Sequence, residues 1–359
     1  MEKAKDVDAV VLVGGQGTRL RPLTLSAPKP MLPTAGVPFL EHLLSRIRQA
    51  GITHVVLGTS YKAETFTDYF GDGSAFGLEI EYVVEQQPLG TGGAIRNVYE
   101  KLRGTDVMVF NGDILSGVNL NGLLATHRDN SADVTLHLVK VADPRAFGCV
   151  PTDPDGRVEA FLEKTETPPT DQINAGCYVF KRSVIADIAA DTVVSVERET
   201  FPGLLASGAK VMGHIDTSYW LDLGTPAAFV QGSADLVRGL APTDALPQPA
   251  ADLLVLDGAV VASDAVVGGG TTLGRNVKVA AGASVDGSIV FDGADIGEGA
   301  KIVRSVIGHG AVIGAGAVVS DAVIGDAAVV GAGCELLGGL RVWPGIEIPA
   351  NGVRFSAPS

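Results

Sequence analysis

Short apolar runs alternate with amphipathic stretches along the first third of the chain. The runs are typical of buried parallel strands, and the stretches between them carry apolar residues at the three- and four-residue spacing of helices. The predicted strands are residues 9–13, 53–58, 78–84 and 107–110, and the predicted helices are residues 38–50, 63–70 and 93–102. Strands that alternate with helices predict an α/β fold, a Rossmann-like and mostly parallel sheet covered on both faces.

A different period governs the last third of the chain. Small apolar residues recur there in steps of 6, 6 and 5 residues, which repeat every 17 residues. The twelve positions are Leu273, Val279, Val285, Val290, Ile296, Ile302, Ile307, Ile313, Val319, Ile324, Val330 and Leu336. Hexapeptide repeats of this kind predict a left-handed parallel β-helix with three short strands per coil. A flexible linker rich in Gly and Val would not hold the phase over twelve positions.

A stretch rich in Pro and small residues separates these two patterns and is typical of a linker. The predicted organisation is a catalytic-type α/β domain at 1–238, a linker at 239–250, the β-helix at 251–345 and a C-terminal tail at 346–359.

Composition restricts the kind of partner. The formal net charge is −14, and acidic residues are spread over both parts of the chain, which argues against a nucleic-acid-binding surface. No apolar run approaches the roughly 20 residues of a membrane span, and the N-terminus has no apolar region typical of a signal peptide. Three cysteines far apart predict reduced, buried thiols, so we expect a cytoplasmic protein.

The first predicted strand runs directly into a Gly-rich loop, Gly14–Thr24. The loop lacks the Gly-Lys-Ser/Thr of a P-loop, and Leu20 occupies the third glycine position of a dinucleotide fingerprint. Its glycine amides are free of side chains that would block phosphate oxygens, and Arg19 adds a cation that grips phosphate with two hydrogen bonds. Lys29 supplies a second cation ten residues further on. The combination predicts a site for a phosphate-rich ligand.

Motifs across residues 8–235 resemble, in the same order, those of the nucleotidyltransferases that activate sugar 1-phosphates. They are GGQGTRLRPLT (14–24), PKPMLP (28–33), EQQPLGTGGA (85–94), NGD (111–113), FG (147–148), FLEK (161–164), INAG (173–176), SVERETFP (195–202) and WLDLG (220–224). The repeats at the C-terminus also match one branch of this family. Together the motifs look most like those of mannose-1-phosphate guanylyltransferases.

That resemblance implies transfer of GMP from GTP to mannose 1-phosphate, with GDP-mannose and pyrophosphate as products and Mg²⁺ as cofactor. The implied catalytic residues are Arg19 and Lys29, and the implied metal ligands are Asp113 and Asp222. The implied nucleotide-binding residues are Leu12, Gly14, Gly15, Gly17, Thr18, Arg19, Glu85, Gly90, Thr91, Asn111 and Gly112. The implied sugar-phosphate-binding residues are Gly148, Glu163, Lys164, Asn174 and Glu197. Small residues within Glu85–Ala94 are expected to let the backbone approach a purine closely.

Other functions stay open at the level of sequence. A uridylyl- or thymidylyltransferase acting on glucose 1-phosphate would use a similar loop. A β-helix acyltransferase would need a catalytic His, and His309 is the only one in the repeats, which show no inserted loop. A non-catalytic regulatory subunit that binds sugar nucleotides would be expected to lack a cation or a metal carboxylate. We expect the β-helix to support a homo-oligomer, because flat faces and exposed ends favour self-association.

Overall fold

The computed structural model describes residues 6–60, 62–162, 166–246 and 251–355. The chain divides into two units, of which the first comprises residues 1–15 and 43–220 and the second comprises residues 16–42 and 221–359. The segment 16–42 therefore packs with the C-terminal part of the chain. The domain bounds proposed from the sequence stay a prediction.

A seven-stranded sheet forms the core of the first unit. Its strands are β1 Val7–Leu12, β2 His54–Thr59, β3 Glu79–Val84, β4 Asp106–Asn111, β5 Val134–Lys140, β6 Gln172–Lys181 and β7 Val211–Asp216. They lie in the order β7-β5-β6-β4-β1-β2-β3. Only β6 runs antiparallel to its neighbours, β4 and β5, so the predicted mostly parallel sheet is confirmed.

The central strands are apolar on both faces because helices cover the sheet on both sides. Ala9, Val10 and Val11 of β1 are fully buried, as are Val107 and Val109 of β4. The four strands predicted from apolar runs are observed with ends shifted by no more than two residues.

The described part of the chain contains eight α-helices. They are α1 Leu23–Ser26, α2 Phe39–Gln49, α3 Ala63–Phe70, α4 Gly90–Asn97, α5 Leu120–Asp129, α6 Arg182–Ala186, α7 Phe201–Ala206 and α8 Pro226–Val237. Helices α2 and α3 agree with the prediction. Helix α4 begins three residues before the predicted start at 93 and ends five residues before the predicted end at 102. In its first turn the Gly92 N–H donates to the Val194 carbonyl (2.8 Å), so this turn also packs against a distant segment of the chain.

The second unit carries three parallel ladders of short strands. The first ladder comprises Leu253–Val255, Thr271–Leu273, Ile289–Val290, Val306–Ile307, Val323–Ile324 and Arg341–Val342. The second comprises Val260–Val261, Lys278–Val279, Asp295–Ile296, Val312–Ile313, Val329–Val330 and Glu347–Ile348. The third comprises Val266–Gly268, Ser284–Asp286, Lys301–Val303, Val318–Ser320 and Glu335–Leu337.

This arrangement is the left-handed parallel β-helix predicted from the repeats. All twelve predicted positions belong to its buried core, and none is more than 3% exposed. The ladders continue to Ile348, within the segment 346–359 that the sequence suggested as a tail.

Two expectations about cysteines and membranes can be compared with the structure. Cys149, Cys177 and Cys334 are free and buried, as predicted. Among the described residues, no helix has the length and apolar character needed to cross a membrane.

Candidate active site

The carboxyl ends of β1 and β4 lie side by side in the first unit. Leu12 and Asn111 are register partners, and the Gly112 N–H donates to the Leu12 carbonyl (3.0 Å). A Cβ on Gly112 would lie 2.6 Å from that carbonyl oxygen, so the close approach of the two strand ends requires glycine here. Asp113 follows directly and is half-buried. The structure thus brings four predicted site residues to one edge of the sheet, where ligands bind in folds of this class.

Two further predicted residues continue from β1. The Ser60 hydroxyl donates to the Gly14 carbonyl (2.5 Å), whereas a Cβ on Gly15 would meet nothing within 4 Å. Gly15 is exposed, so its backbone is open to a ligand. Ser60, which fixes the loop from the end of β2, was not singled out from the sequence.

The rest of the Gly-rich loop belongs to the second unit. Gly17 has a left-handed conformation (φ 59°) and precedes a 3₁₀ turn, Thr18–Leu20, in which Thr18 and Arg19 are exposed. The Thr24 hydroxyl donates to the Gly17 carbonyl (2.9 Å), and a Cβ on Gly17 would lie 3.1 Å from the Cβ of Lys29. Only glycine allows the loop to fold this closely onto Lys29.

Both predicted catalytic cations flank Asp222 in the same unit. Lys29 Nζ lies 3.8 Å from Asp222 Oδ1, and Arg19 Nη2 lies 3.9 Å from Oδ2. The Lys29 side chain is 10% exposed and the Arg19 side chain is 65% exposed. Both distances exceed a hydrogen bond, so the cations surround the carboxylate without closing on it. Such an arrangement places two positive charges beside the carboxylate.

Asp222 Oδ1 is buried and has no hydrogen-bond partner among the described residues. A buried carboxylate oxygen without a partner is costly unless another group satisfies it. Carboxylate oxygens are the ligands that Mg²⁺ prefers, so the residue fits a divalent cation.

Gly224 also belongs to this group, although it was not assigned from the sequence. A Cβ at this position would overlap the Arg19 guanidinium and would lie 2.9 Å from Asp222 Oδ1. The guanidinium therefore occupies the space that a side chain at 224 would take.

The segment predicted to contact the base begins at Glu85. Burial raises the pKa of the Glu85 carboxyl, which accepts a hydrogen bond from the Leu89 N–H and so closes the loop ahead of α4. Each of the glycines that follow in α4 faces residues 192–194 of the same chain: a Cβ on Gly90 would lie 2.6 Å from the Val194 carbonyl oxygen, and one on Gly93 would lie 2.5 Å from that of Thr192. These glycines are needed for packing within the protein, a reason that differs from the expected approach of a purine.

A hydrogen bond joins Thr91, which was predicted to bind the nucleotide, and Glu197, which was predicted to bind the sugar phosphate. The Thr91 hydroxyl donates to Glu197 Oε2 (2.8 Å), which also accepts from the Ser195 hydroxyl (2.8 Å). The Val196 N–H donates in turn to Thr91 Oγ1 (3.0 Å). Glu197 is therefore held by two hydroxyls and has a fixed orientation.

A buried tyrosine connects two other predicted residues. Asn174 Nδ2 donates to the Tyr178 hydroxyl (2.8 Å), and Asn174 Oδ1 accepts from the Gly176 N–H (3.1 Å). Burial raises the pKa of Tyr178 well above its usual range, although hydrogen bonds with Asn174 and Asn111 oppose that effect. Tyr178 was missed because a tyrosine inside an apolar strand carries no signal that distinguishes it from a core residue.

A cavity of about 400 Å³ lies beside Glu197 and is also lined by Phe161, Leu162 and Pro202. The Cys149 N–H donates to the Leu162 carbonyl (2.8 Å), which places Gly148 close to Phe161. Glu163 and Lys164, which follow Leu162, lie outside the described residues. The cavity wall thus contains residues from two of the four motifs predicted to bind the sugar phosphate, those at 161–164 and 195–202.

A second group of possible metal ligands lies at the opposite edge of the sheet. His54, Glu79 and Glu81, at the amino ends of β2 and β3, have ligand atoms within 4.8 Å of one another. Lys101 and Arg103 already pair with Glu81 at 2.8 and 2.7 Å. We interpret this group as an ion-pair network, since cations of the protein neutralise the carboxylates.

Comparison with known proteins identifies the family. A family model described as nucleotidyl transferase matches residues 8–239, and a model described as the GMPPB C-terminal domain matches residues 250–352. This chain belongs to the nucleotidyl transferase family.

Individual relatives agree with that assignment. The chain is 66% identical to a mannose-1-phosphate guanylyltransferase of Mycobacterium tuberculosis, over 98% of both chains. It is 32% identical to a probable mannose-1-phosphate guanylyltransferase of Oryza sativa over 78% of both chains. HddC from Yersinia pseudotuberculosis, solved in complex with GMP-PN, superposes with a TM-score of 0.56 at 28% identity and covers 64% of this chain and 99% of that one. The resemblance drawn from the motifs is thereby confirmed.

Proposed function

We propose that this protein transfers GMP from GTP to mannose 1-phosphate and releases GDP-mannose and pyrophosphate. The relative from Mycobacterium tuberculosis supports this pair of substrates, because it is 66% identical over nearly the whole length of both chains. The observation that carries the chemistry is the group formed by Arg19, Lys29 and Asp222, in which a buried carboxylate oxygen lacks a hydrogen-bond partner.

In the proposed reaction, a phosphate oxygen of mannose 1-phosphate attacks the α-phosphorus of GTP. A bond forms between that oxygen and the α-phosphorus, the bond to the oxygen that bridges to the β-phosphate breaks, and pyrophosphate leaves with the electron pair. The attacking phosphate is already ionised near neutral pH, so no general base is required. Charge grows on the bridging and leaving oxygens, and fixed cations stabilise it.

Arg19 and Lys29 supply those cations. The exposed Arg19 can reach a phosphate with two hydrogen bonds, whereas Lys29 is buried and acts as a point charge in fixed position. The backbone at Gly14, Gly15, Gly17 and Thr18 is proposed to bind phosphate oxygens. Asp113 and Asp222 would hold Mg²⁺, which when bound would neutralise part of the triphosphate charge.

The remaining proposed contacts follow the predicted roles. The guanosine part would lie against Leu12, Glu85, Gly90, Thr91, Asn111 and Gly112, and the sugar phosphate against Gly148, Glu163, Lys164, Asn174 and Glu197. The hydrogen bonds of Glu197 and Asn174 support these roles, since side chains held in one orientation discriminate between hydroxyl configurations.

Substitution Asp222→Asn tests the metal and triphosphate assignment. It keeps the size of the side chain and removes its charge, so we expect the Mg²⁺-dependent rate to fall at least about 100-fold, as the loss of a metal ligand costs several kcal/mol. Asp171→Asn is the matched control, because Asp171 is an exposed partner of Lys140 (3.4 Å). A wild-type rate and Mg²⁺ dependence in Asp222→Asn would exclude the proposed role.

We also propose a cytoplasmic homo-oligomer assembled through the β-helix. Its first and last coils expose apolar side chains, among them Val260 (63% exposed), Val266 (69%) and Ile346 (49%). Exposed apolar side chains favour burial against a second copy of the chain. Light scattering of the purified protein tests the assembly, and the mass of a monomer would contradict it.

A further inference from the structure

The segment 16–42 carries both proposed catalytic cations and is anchored to the C-terminal part of the second unit. At its far end, the Ala35 N–H donates to the Ser233 hydroxyl (2.9 Å), and a Cβ on Gly36 would lie 3.0 Å from the side chain of Leu256 in the first coil. His42 Nε2 contacts the Thr34 carbonyl (2.8 Å), so Nε2 donates and Nδ1 accepts from the Thr243 hydroxyl (2.8 Å). Residues 34–42 are therefore fixed by partners that lie about 200 or more positions later in the chain.

The near end of the segment has an anchor of another kind. Arg341 Nη1, on the last strand of the first ladder, donates to the Arg21 carbonyl (2.7 Å). Arg21 ends the 3₁₀ turn that contains Arg19, and its own N–H donates back to the Thr18 carbonyl (3.2 Å). Arg341 therefore binds the carboxyl end of the turn that presents Arg19.

An arginine at position 341 departs from the residue pattern of the β-helix. The register partners at the same position of successive coils are Leu254, Thr272, Ile289, Val306, Val323 and Arg341. The first five are buried, and four of them are apolar, whereas Arg341 is exposed and charged. Packing of the coil therefore does not explain an arginine at this position. The hydrogen bond to the Arg21 carbonyl does, because only a long side chain with a donor at its end reaches that oxygen.

We propose that Arg341 is a positioning residue for nucleotidyl transfer, which holds the Thr18–Leu20 turn so that Arg19 faces the triphosphate. The inference rests on the proposed function. A charge-assisted hydrogen bond to the turn restricts the conformations of Arg19 before the ligand binds, and so lowers the entropic cost of binding. The β-helix then serves the reaction directly, in addition to any role in assembly.

Three variants of the full-length protein test this role. Arg341→Ala removes the donor, Arg341→Lys keeps a donor on a flexible stem, and Arg275→Ala is the matched control. Arg275 is an exposed arginine of the same β-helix that pairs with Asp292 (3.7 Å). We expect Arg341→Ala to raise the KM for GTP about tenfold, the lower end of the range for the loss of one hydrogen bond that involves a charged group, with the KM for mannose 1-phosphate unchanged. Arg341→Lys should recover part of the loss, and Arg275→Ala should match the wild type.

Hydrogen exchange of the substrate-free protein separates this inference from the proposed function. Arg341→Ala should speed exchange in peptides that cover residues 16–32, whereas Arg275→Ala should not. If Arg341→Ala leaves both the exchange and the KM for GTP unchanged, or if it raises both KM values equally with a lower Tm, the positioning role is wrong. If exchange rises as expected while the wild type uses another triphosphate in preference to GTP, the role of Arg341 stands and the proposed function fails.

Discussion

At the residue scale, the glycines around the proposed triphosphate site serve different purposes that the sequence does not distinguish. Gly17 adopts a left-handed conformation and packs close to Lys29, whereas Gly15 has open space around it. Gly224 leaves room for the Arg19 guanidinium. The sequence predicted the first two as site residues and missed the third, because the neighbour that fills its space is about 200 residues away in the chain.

Gly224→Ala should therefore displace Arg19, and crowd Asp222 Oδ1, while leaving the fold intact. The conformation of Gly224 does not lie in the left-handed region, and the overlapping atoms belong to the end of a flexible side chain, so we expect a stability change below about 1 kcal/mol. Misplacement of the guanidinium should lower kcat/KM for GTP by about tenfold or more. Steady-state kinetics and thermal unfolding measure the two effects.

Gly203→Ala in α7 is the control for this substitution, since a Cβ there meets nothing within 4 Å. It should leave the rate unchanged. Equal kinetics for Gly224→Ala and the wild type would show that the positions of Arg19 and of Asp222 Oδ1 seen here do not matter for the reaction.

At the element scale, apolar runs predicted β1 to β4 well because helices cover both faces of these strands. Strands β5, β6 and β7 were not assigned from the sequence, because polar residues such as Asn174 in β6 and His214 in β7 interrupt their apolar patterns. The start of α4 was missed for a related reason. Its glycines weaken the helical signal, and their packing against residues 192–194 depends on tertiary structure.

The amino ends of β1, β2 and β3 are joined by a buried ion-pair network centred on His54. His54 Nδ1 lies 2.7 Å from Asp8 Oδ1, and Nε2 lies 3.2 Å from Glu81 Oε1. The hydrogen bond with Asp8 raises the pKa of His54 above 6.5, although burial opposes it. Burial alone would raise the pKa of Asp8, but hydrogen bonds from His54 and from the backbone of Gly104 and Arg103 hold it below 3.8.

This network makes the stability depend on pH in a defined direction. Because the folded state raises the pKa of His54, its contribution is complete below pH 6.5 and is lost as the pH rises through the folded pKa. We expect His54→Gln to lower the free energy of unfolding by about 1.5–3 kcal/mol at pH 6, the range for hydrogen bonds to charged groups, and by less at pH 9. Urea unfolding at the two values measures the difference.

The exposed His309 of the β-helix is the control for this experiment. His309→Gln should change stability little at either pH. A destabilisation by His54→Gln that stayed constant or grew toward pH 9 would contradict the proposed charge state of the network.

At the scale of the whole molecule, the repeat was the most predictable feature. A period of 17 residues assigned all twelve inward positions, because each coil repeats the same local environment. The membership of the segment 16–42 in the second unit was not predictable in this way. It depends on hydrogen bonds between residues 198 to 320 positions apart, such as Ala35 with Ser233 and Arg21 with Arg341. Patterns of neighbouring residues in the sequence do not indicate such distant contacts.

The central claim is the transfer of GMP to mannose 1-phosphate, and initial rates with purified full-length protein test it most directly. GTP, ATP, UTP and dTTP are each paired with mannose 1-phosphate and with glucose 1-phosphate in the presence of Mg²⁺, and pyrophosphate release is measured. We predict that GTP with mannose 1-phosphate gives the highest kcat/KM of the eight combinations. A higher value for UTP or dTTP with glucose 1-phosphate, or no pyrophosphate release with any pair, would contradict the proposed function.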